Sequence, residues 1–440
     1  MFRQARTTPM WILLVAALAA GCAQDLRADL VAAGVFSPRR FEVGNDDLVA
    51  LGQVLFFERE LSGNRNTSCA SCHLPELHAG DARHLSVGQD GARLSRNVIE
   101  PFNRAFVTSM FWDGRLEERD GRIVAPVALP EGIETLLEAQ ALLPLLDRHE
   151  MRGMAGDVAE DGRDNELALF DDAATEAIWS AVIVRLQAIE GYRPLFEEAF
   201  PDLPFEDITI VQVAQAIAAF ESRIWELADS AFDRYLGSVS TPGDDSALAE
   251  PERRGAELFF GDAGCARCHG GPLLSDGEFH AIGVPQIGPG RDGQHLDQGR
   301  FEVTGDPADR FAFRTPTLRN VALTAPYMHD GAYWNLDEAV RQHLDPEGAL
   351  RNYSGAGLPP DLQAQIRVEA NDAIAAAIDP EVRPLRALSE DEIGSLVFFL
   401  QSLASQTEIN VGPSAGAPGS LPSGLPVEQR PEFDVGELRP

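Results

Sequence analysis

Two segments far apart in the chain carry the same pattern of apolar residues. Each places apolar side chains at a spacing close to 3.6 residues, which is typical of a short amphipathic helix, and each is followed by a glycine-containing loop. The two segments are Leu51-Gly52-Gln53-Val54-Leu55-Phe56-Phe57 and Arg254-Gly255-Ala256-Glu257-Leu258-Phe259-Phe260. A repeat of this kind indicates two domains that are built on one plan.

Helical patterns dominate the rest of the chain. Residues 174–236 predict two or three helices, interrupted at Pro194 and again between Pro201 and Pro204. A capping box at Ser389 opens a last helix, whose apolar face consists of Ile393, Leu396, Val397, Leu400 and Leu403. Strand patterns are sparse. The predicted fold class is therefore mainly α, with two domains and long connecting loops.

Changes in composition place the boundaries between these parts. Residues 153–172 are acidic and rich in glycine, which predicts an exposed loop, and a second break lies at 238–251. Residues 407–440 are rich in Pro, Gly and Ser without periodicity, which predicts disorder. The predicted organisation is an export signal at 1–22, an N-terminal domain at 23–237, a C-terminal domain at 245–405 and a disordered tail at 406–440.

The N-terminus has the features of an export signal. Arg3 and Arg6 precede a short apolar run from Met10 to Ala20, and small residues lead into Cys22. The run is short for a membrane-spanning helix. Small residues followed by cysteine are typical of a bacterial lipoprotein signal, with Cys22 as the lipidated residue; a plain secretory signal is the alternative. Both predict a periplasmic location, and the first adds a lipid anchor in the membrane.

The net charge of the chain excludes some classes of binding partner. The sequence has 36 Lys and Arg against 69 Asp and Glu, a formal net charge of −33, and none of the basic residues is lysine. So acidic a protein is not expected to bind nucleic acid or an anionic lipid surface. A basic electron-donor protein suits this surface, although salt adaptation or genomic base bias explains the composition equally well.

Two five-residue motifs carry the chemistry of the chain. They are Cys69-Ala70-Ser71-Cys72-His73 and Cys265-Ala266-Arg267-Cys268-His269. Two thiols one turn apart can add to the vinyl groups of one porphyrin, and the adjoining histidine then ligates the iron. Structural zinc knuckles are the alternative, but further ligands are missing nearby. The fifth cysteine, Cys22, leaves no pair for a disulfide. The motifs predict two covalently bound c-type haems.

Segments around the motifs resemble the bacterial dihaem cytochrome c peroxidase family, which includes the MauG enzymes, over nearly the whole chain to about Leu403. They are Leu61-Ser62-Gly63, Phe111-Trp112-Asp113-Gly114-Arg115, Asp276-Gly277-Glu278-Phe279-His280, Arg314-Thr315-Pro316-Thr317-Leu318-Arg319-Asn320 and Thr324-Ala325-Pro326-Tyr327-Met328-His329-Asp330-Gly331. The resemblance implies two cytochrome c-type haem domains. It also implies that the N-terminal haem reacts with hydrogen peroxide, and that the C-terminal haem takes electrons from a small donor protein such as a cytochrome c.

The same resemblance proposes residues around the N-terminal haem. Gln89 stands where many family peroxidases have a removable distal histidine, which implies an open iron; His84 or His78 as the ligand is the alternative. Glu150, in a family Glu-Met position, is the expected acid–base residue, because cleavage of the O–O bond needs a group that moves protons. Glu131 and Glu134 compete for that role.

Two further sites follow from the resemblance. Trp112 matches a family tryptophan between the haems that helps to pass electrons; a buried core tryptophan is the alternative. Asn97, Thr324 and Pro326 match a family calcium site at the domain junction, built from one side-chain oxygen and two backbone carbonyls. The site is expected to bind calcium if it is occupied.

The sixth ligand of the C-terminal haem has two competing assignments. The family position falls on His343, in a predicted helix that begins after Asn335. Met328 is the alternative, because thioethers also ligate haem iron. His280 and His329 are expected to form hydrogen bonds near the haem edges, and His295 to be exposed.

Three functions remain open at this level. The first is a peroxidase that reduces hydrogen peroxide with electrons from a small protein. The second is a MauG-like oxidase that acts on a protein or organic substrate. The third is a non-enzymatic electron-transfer lipoprotein with two closed haems. The sequence names neither the donor nor the oxidised substrate, and it leaves the formation of a homodimer open.

Overall fold

A computed structural model describes residues 26–38, 44–159, 161–238, 241–291, 296–382, 384–407 and 416–427. Helices dominate these residues, which confirms the predicted class. In chain order they are α1 Leu26–Ala32, α2 Asp46–Phe56, α3 Leu136–Leu142, α4 Thr175–Gln187, α5 Tyr192–Ala199, α6 Ile210–Trp225, α7 Ala231–Leu236, α8 Glu250–Phe260, α9 Phe301–Thr304, α10 Leu336–Leu344, α11 Pro346–Asn352, α12 Pro360–Gln363, α13 Asn371–Ala377 and α14 Glu390–Gln401.

The strands are short and lie where the two halves of the chain meet. Strands β1 (Ser109–Met110), β2 (Leu116–Arg119) and β3 (Arg122–Val124) form an antiparallel sheet in that order. Strands β4 (Phe279–His280) and β5 (Phe313–Arg314) form an antiparallel pair. The Arg314 N–H donates to the Trp112 carbonyl at 2.8 Å, so that the second pair is joined to the loop after β1.

The repeated segments form equivalent helix pairs in two hydrophobic cores. Helix α2 packs on α6, and α8 packs on α14. A glycine lies at the contact each time: a Cβ at Gly52 would lie 1.8 Å from the Ala216 carbonyl oxygen, and one at Gly255 would lie 1.9 Å from the Ser395 carbonyl oxygen. Only glycine permits such close packing of backbones. The repeat therefore places a haem motif beside one tight helix pair in each half.

The cores do not follow the predicted domain boundary. Leu26, Leu30 and Val35 pack in the second core, together with Phe232 and Tyr235 of α7. The sequence boundary placed both segments in the N-terminal domain. Helices α1 and α7, which precede and follow the first core in sequence, therefore bury their apolar faces in the second core. This exchange ties the two halves together.

The predicted disordered tail is wrong for residues 416–427. The Gln53 side-chain amide donates to the Gly416 carbonyl at 3.0 Å, and Leu421 is buried in the first core. Pro422 approaches Gly191, which leaves no room for a side chain there. A segment rich in Pro and Gly lacks helical periodicity, but it can still pack against a folded core. Residues 408–415 and 428–440 lie outside the described residues.

Two other predictions from the sequence, for Pro194 and for the loop at 153–172, differ from the structure. Pro194 lies in the first turn of α5, where its missing N–H needs no partner, and so it does not interrupt a helix. The loop at 153–172 is anchored by Asn165, which is buried and donates to the Asn64 side chain at 2.7 Å. The signal at 1–22 with Cys22, and His295, lie outside the described residues. None of the described helices has the length and apolar character needed to cross a bilayer.

Candidate haem sites and active site

Each cysteine motif forms one short turn that faces a cavity. Residues Cys69–Ser71 form a 3-10 turn, and the His73 ring donates from Nδ1 to the Ala79 carbonyl at 3.1 Å. This bond leaves Nε2 as the ligand atom. Burial lowers the pKa of His73 to about 4, so that the imidazole is neutral, the form that binds a metal.

The second motif repeats this arrangement. Residues Cys265–Arg267 form the turn, and His269 Nδ1 donates to the Leu274 carbonyl at 3.1 Å. Opposite lies His343 of α10, whose Nδ1 donates to the Ala339 carbonyl at 2.8 Å. The ring centres of His269 and His343 are 6.2 Å apart. Two imidazoles bound to one metal at about 2 Å each have ring centres about 6 Å apart.

The residues and cavities fit two haem groups. A cavity of about 400 Å³ contains Cys69, Cys72 and His73 in its wall, and a second of about 210 Å³ contains Cys265, Cys268 and His269. The four motif cysteines are unpaired, as thioether formation requires. Burial raises the pKa of Cys265 to about 12, so that the side chain is a neutral thiol.

Glu150 faces the first cavity from a single π-helical turn, Arg148–Arg152. The Asp147 carboxylate caps this turn by accepting from the His149 and Glu150 N–H groups, at 2.9 and 3.0 Å. Burial, followed by the negative charge of Asp147, raises the pKa of Glu150 to about 7. The carboxyl can therefore take up or release a proton near neutral pH. Glu131 and Glu134, its competitors, are exposed and lie outside the cavity wall.

Gln89 does not lie at the distal position that the family resemblance implies. It is buried, but it does not line the cavity; its side-chain oxygen accepts from the Asn64 N–H at 3.2 Å. The loop turns this way because Gly88 packs against the Glu150 turn. His84 donates to the Gly331 carbonyl at 2.6 Å, and neither it nor His78 lines the cavity. No histidine from this loop therefore reaches the space above His73 in the described residues.

The chain is similar to known proteins over most of its length. A family profile described as Di-haem cytochrome c peroxidase matches residues 46–241. The methylamine utilization protein MauG of Methylorubrum extorquens is 34% identical over 358 residues, which cover 81% of this chain and 78% of that protein. The cytochrome c551 peroxidase of Nitrosomonas europaea is 30% identical, over 67% of this chain and 72% of that protein.

The chain belongs to the dihaem cytochrome c peroxidase and MauG family. It is accordingly a haem-containing oxidoreductase. The crystal structure of a MauG-like protein associated with microbial copper homeostasis matches the fold with a TM-score of 0.58 at 28% identity, over 86% of this chain and 96% of that one.

Several residues of the first cavity were not predicted from the sequence. Gln140 lies on α3 ten residues before Glu150, and Arg115 follows Asp113 on the loop that leads into β2. Glu221 lies one helical turn after Ile217 on α6, and both line the cavity. Burial raises the pKa of Glu221 to about 8. A lone acid on a face that is otherwise apolar was the available signal for Glu221.

Trp112 and one of the calcium candidates, Asn97, lie between the two cavities. Trp112 and Asn97 line both of them, and the Trp112 indole N–H donates to the Asn97 carbonyl at 3.0 Å. Thr324 and Pro326 line the second cavity. The Asn97 side-chain N–H donates to the Arg83 carbonyl at 2.8 Å. Its amide oxygen is thereby turned to the opposite side, as a cation ligand requires.

The remaining family positions lie around the second cavity. Met328 and His343 both line it. His280 bridges two carboxylates, Asp276 at 2.9 Å and Asp379 at 3.1 Å. His329 is buried and stacks on Phe313, with ring centres 3.6 Å apart. Cys268, Asp276 and His280 are close enough to hold a metal ion, but a thioether at Cys268 would remove the thiolate from that set.

The Glu150 turn is clamped between two glycines. A Cβ at Gly88 would lie 2.1 Å from the His149 carbonyl oxygen, and one at Gly63 would lie 1.8 Å from the Arg152 carbonyl oxygen. The Gly63 N–H donates to the Met151 carbonyl at 2.7 Å. Both glycines flank the first haem motif in sequence. The loops that lead into and out of the motif therefore fix the position of Glu150.

Substitution of Gly88 by alanine should lower peroxide turnover about tenfold or more. The new methyl group would push the Glu150 turn away, and small misplacements of a proton-transfer group are costly. The pH midpoint of the reaction should also fall toward that of an exposed carboxyl. Gly357→Ala is the control, because a Cβ there meets nothing within 4 Å. Equal effects of the two substitutions on turnover, with an unchanged midpoint, would contradict the positioning role.

Proposed function

We propose that this protein reduces hydrogen peroxide to water at the first haem motif, with electrons delivered through the second. The observation that carries this proposal is the position of Glu150, which faces the same cavity as Cys69, Cys72 and His73 and has a pKa near neutrality. His73 would ligate the iron through Nε2, and the cysteines would hold the porphyrin. Haem bound there supplies the redox chemistry.

The protein contributes proton transfer. Reduction of hydrogen peroxide to two water molecules consumes two electrons and two protons. The ionised carboxylate of Glu150 takes the proton from one peroxide oxygen and returns it to the other, which leaves as water. Burial keeps this carboxyl poised between its two forms, because a desolvated carboxylate holds its proton more tightly. Gln140 lines the same cavity and can donate hydrogen bonds to the peroxide.

The electrons have a direct route between the two motifs. Trp112 lines both cavities and is held by its indole N–H bond to Asn97, so that its ring lies between the haem sites. The donor would be a small basic protein such as a cytochrome c, which the net charge of −33 favours. The cation at Asn97, Thr324 and Pro326 would be calcium, which would brace this junction between the haems.

The MauG-like oxidation of a protein or organic substrate is the second candidate. The facing pair His269 and His343 favours it, because two imidazoles give a lower haem potential than imidazole and thioether. A low potential eases removal of electrons from the second haem. Met328 in the same role would favour the peroxidase. Electron transfer without catalysis is the least favoured, since the first cavity contains Glu150 but no distal histidine from the 84–89 loop.

We place the protein in the periplasm, where covalent haem attachment occurs in bacteria. Cys22 would carry the lipid anchor, and the membrane would be contacted only through it. The features that support this placement are Arg3, Arg6 and the apolar run before Cys22. A homodimer is compatible with this arrangement.

The purified full chain should contain two haems and consume hydrogen peroxide when it is supplied with a reduced cytochrome c. The intact mass should exceed that of the polypeptide by two haem masses, and donor oxidation should follow peroxide addition with two electrons per peroxide. A protein with two haems that neither oxidises the donor nor consumes peroxide would refute the peroxidase assignment. Stoichiometric zinc instead of haem would refute the cofactor assignment.

A further inference from the structure

Arginines are concentrated in the wall of the first cavity. They are Arg93, Arg96, Arg104, Arg115 and Arg291. Most are neutralised by a carboxylate of their own: Arg93 pairs with Asp361, Arg96 with Asp297, and Arg104 with Glu100. Arg115 and Arg291 meet at the carboxylate of Asp113, which is completely buried and also accepts from Arg96 at 2.7 Å. Arg291 also lies near Glu302, whereas Arg115 forms an ion pair with Asp113 alone among the described residues.

Arg115 presents the unused part of its guanidinium group to the cavity. Its Nη1 donates to both oxygens of Asp113 at 3.2 Å, and its guanidinium group lies over the Phe111 ring, 3.6 Å from the ring centre. No described residue accepts a hydrogen bond from its Nε or Nη2. A quarter of the side chain, 24%, is accessible although the residue lies inside the molecule. These atoms form the fork that recognises a carboxylate.

Arg291 approaches from the other half of the chain. It belongs to the loop with Pro289 and Gly290, which lies in the second half of the chain and yet lines the first cavity. Its Nη1 bonds to Asp113, and its Nε lies 3.5 Å from Glu302. Arg115, Arg96 and Arg291 together hold the pKa of Asp113 far below its usual range. This carboxylate therefore remains ionised and fixes the guanidinium groups around it.

The cavity that Arg115 and Arg291 line indicates what they bind. Its wall also contains Cys69, Cys72 and His73, the residues that would hold a haem. A c-type haem carries two carboxylates on the porphyrin edge opposite the thioether edge. These carboxylates are the negatively charged groups of the cofactor, and they are complementary to the unused edge of the Arg115 guanidinium group.

We infer that Arg115 and Arg291 bind the carboxylate groups of the N-terminal haem, so that a loop of the C-terminal half anchors the cofactor of the N-terminal half. This inference rests on the proposed haem occupancy. Trp112, three residues before Arg115, lines both cavities, and haem carboxylates bound at Arg115 would therefore lie near the proposed electron path. A guanidinium charge there stabilises the reduced haem relative to the oxidised one.

The test uses full-length holoprotein with Arg115→Gln, Arg291→Gln and Arg115→Lys. Two haem masses in the unsubstituted protein are verified first, since their absence would refute the proposed function rather than this inference. At a fixed potential, each Gln variant should raise the ratio of oxidised to reduced N-terminal haem about tenfold, which is 59 mV for a one-electron couple. The resonance Raman bands of the haem carboxylates should shift, and Arg115→Lys should restore most of the ratio.

Arg300→Gln is the matched control. Arg300 is also buried at the junction, lies 4.2 Å from the Phe279 ring centre and donates to the Asp113 and Gly114 carbonyls, but it lines neither cavity. It should leave the ratio and the Raman bands unchanged. Equal shifts in Arg300→Gln and Arg115→Gln, or unchanged carboxylate bands in Arg115→Gln, Arg291→Gln and Arg115→Lys, would overturn the inference.

Discussion

Glu150→Gln should lower peroxide turnover by roughly a hundredfold or more while both haem absorption spectra stay unchanged. Glutamine has nearly the same shape, so that the 148–152 turn and its Asp147 cap are retained. It cannot accept a proton from peroxide, and this is the step that the carboxylate performs. Steady-state donor oxidation at several peroxide concentrations separates this loss, which falls on turnover, from weaker binding.

The pH profile gives the same residue a second signature. The pKa of Glu150 is raised to about 7, so the carboxylate that acts as base is lost as the pH falls through 7 and activity should fall with it. Asp147 contributes to this rise, and Asp147→Asn should move the midpoint to lower pH because a negative charge is removed. Glutamine has no such titration, and the residual activity of Glu150→Gln should lack this midpoint.

Glu131→Gln is the control for this series, because Glu131 is exposed and is not part of the cavity wall. It should leave both turnover and midpoint unchanged. Glu221 is the other buried acid of the cavity, with a pKa of about 8. Full activity in Glu150→Gln, together with loss in Glu221→Gln and a midpoint near 8, would transfer the proton-transfer role to α6.

The parts of the fold that sequence predicts well are those set by local pattern. The haem motifs need two thiols and a histidine within five residues, so their chemistry is contained in one turn. The helix pairs also follow from local apolar spacing, and Gly52 and Gly255 occupy equivalent places in them because each backbone contact leaves no space for a Cβ. The capping box at Ser389 is confirmed for the same reason.

The features that were not predicted from the sequence depend on contacts between distant segments. Gln89 takes the sequence position of a distal ligand, but Gly88 packs on the Glu150 turn and the side chain is directed to Asn64. No local pattern encodes that contact. Helix α1 is likewise an ordinary apolar helix in sequence, and its place in the second core is decided by Phe232 and Tyr235 of α7. Glu221 is identifiable as a site residue only once α6 is seen to border the cavity.

His343→Ala should convert the C-terminal haem from low spin to high spin, whereas Met328→Ala should leave it low-spin. The reason is the geometry of the two candidates. His343 faces His269 with ring centres 6.2 Å apart, and its Nδ1 bond to the Ala339 carbonyl presents Nε2 to the cavity. Imidazole is also the stronger donor to ferric iron, so the wild-type haem should have a lower potential than one with a thioether ligand.

Low-temperature paramagnetic resonance and redox titration of the two variants decide this assignment, with His280→Ala as the matched loss of an imidazole from the same cavity. His280 is held between Asp276 and Asp379 and should not affect the spin state. Conversion to high spin only in Met328→Ala would show that Met328 is the ligand, and it would favour the peroxidase function. Conversion only in His343→Ala would mean that electrons are removed easily from the second haem. That property serves the oxidation of a substrate better than the acceptance of electrons from a high-potential donor.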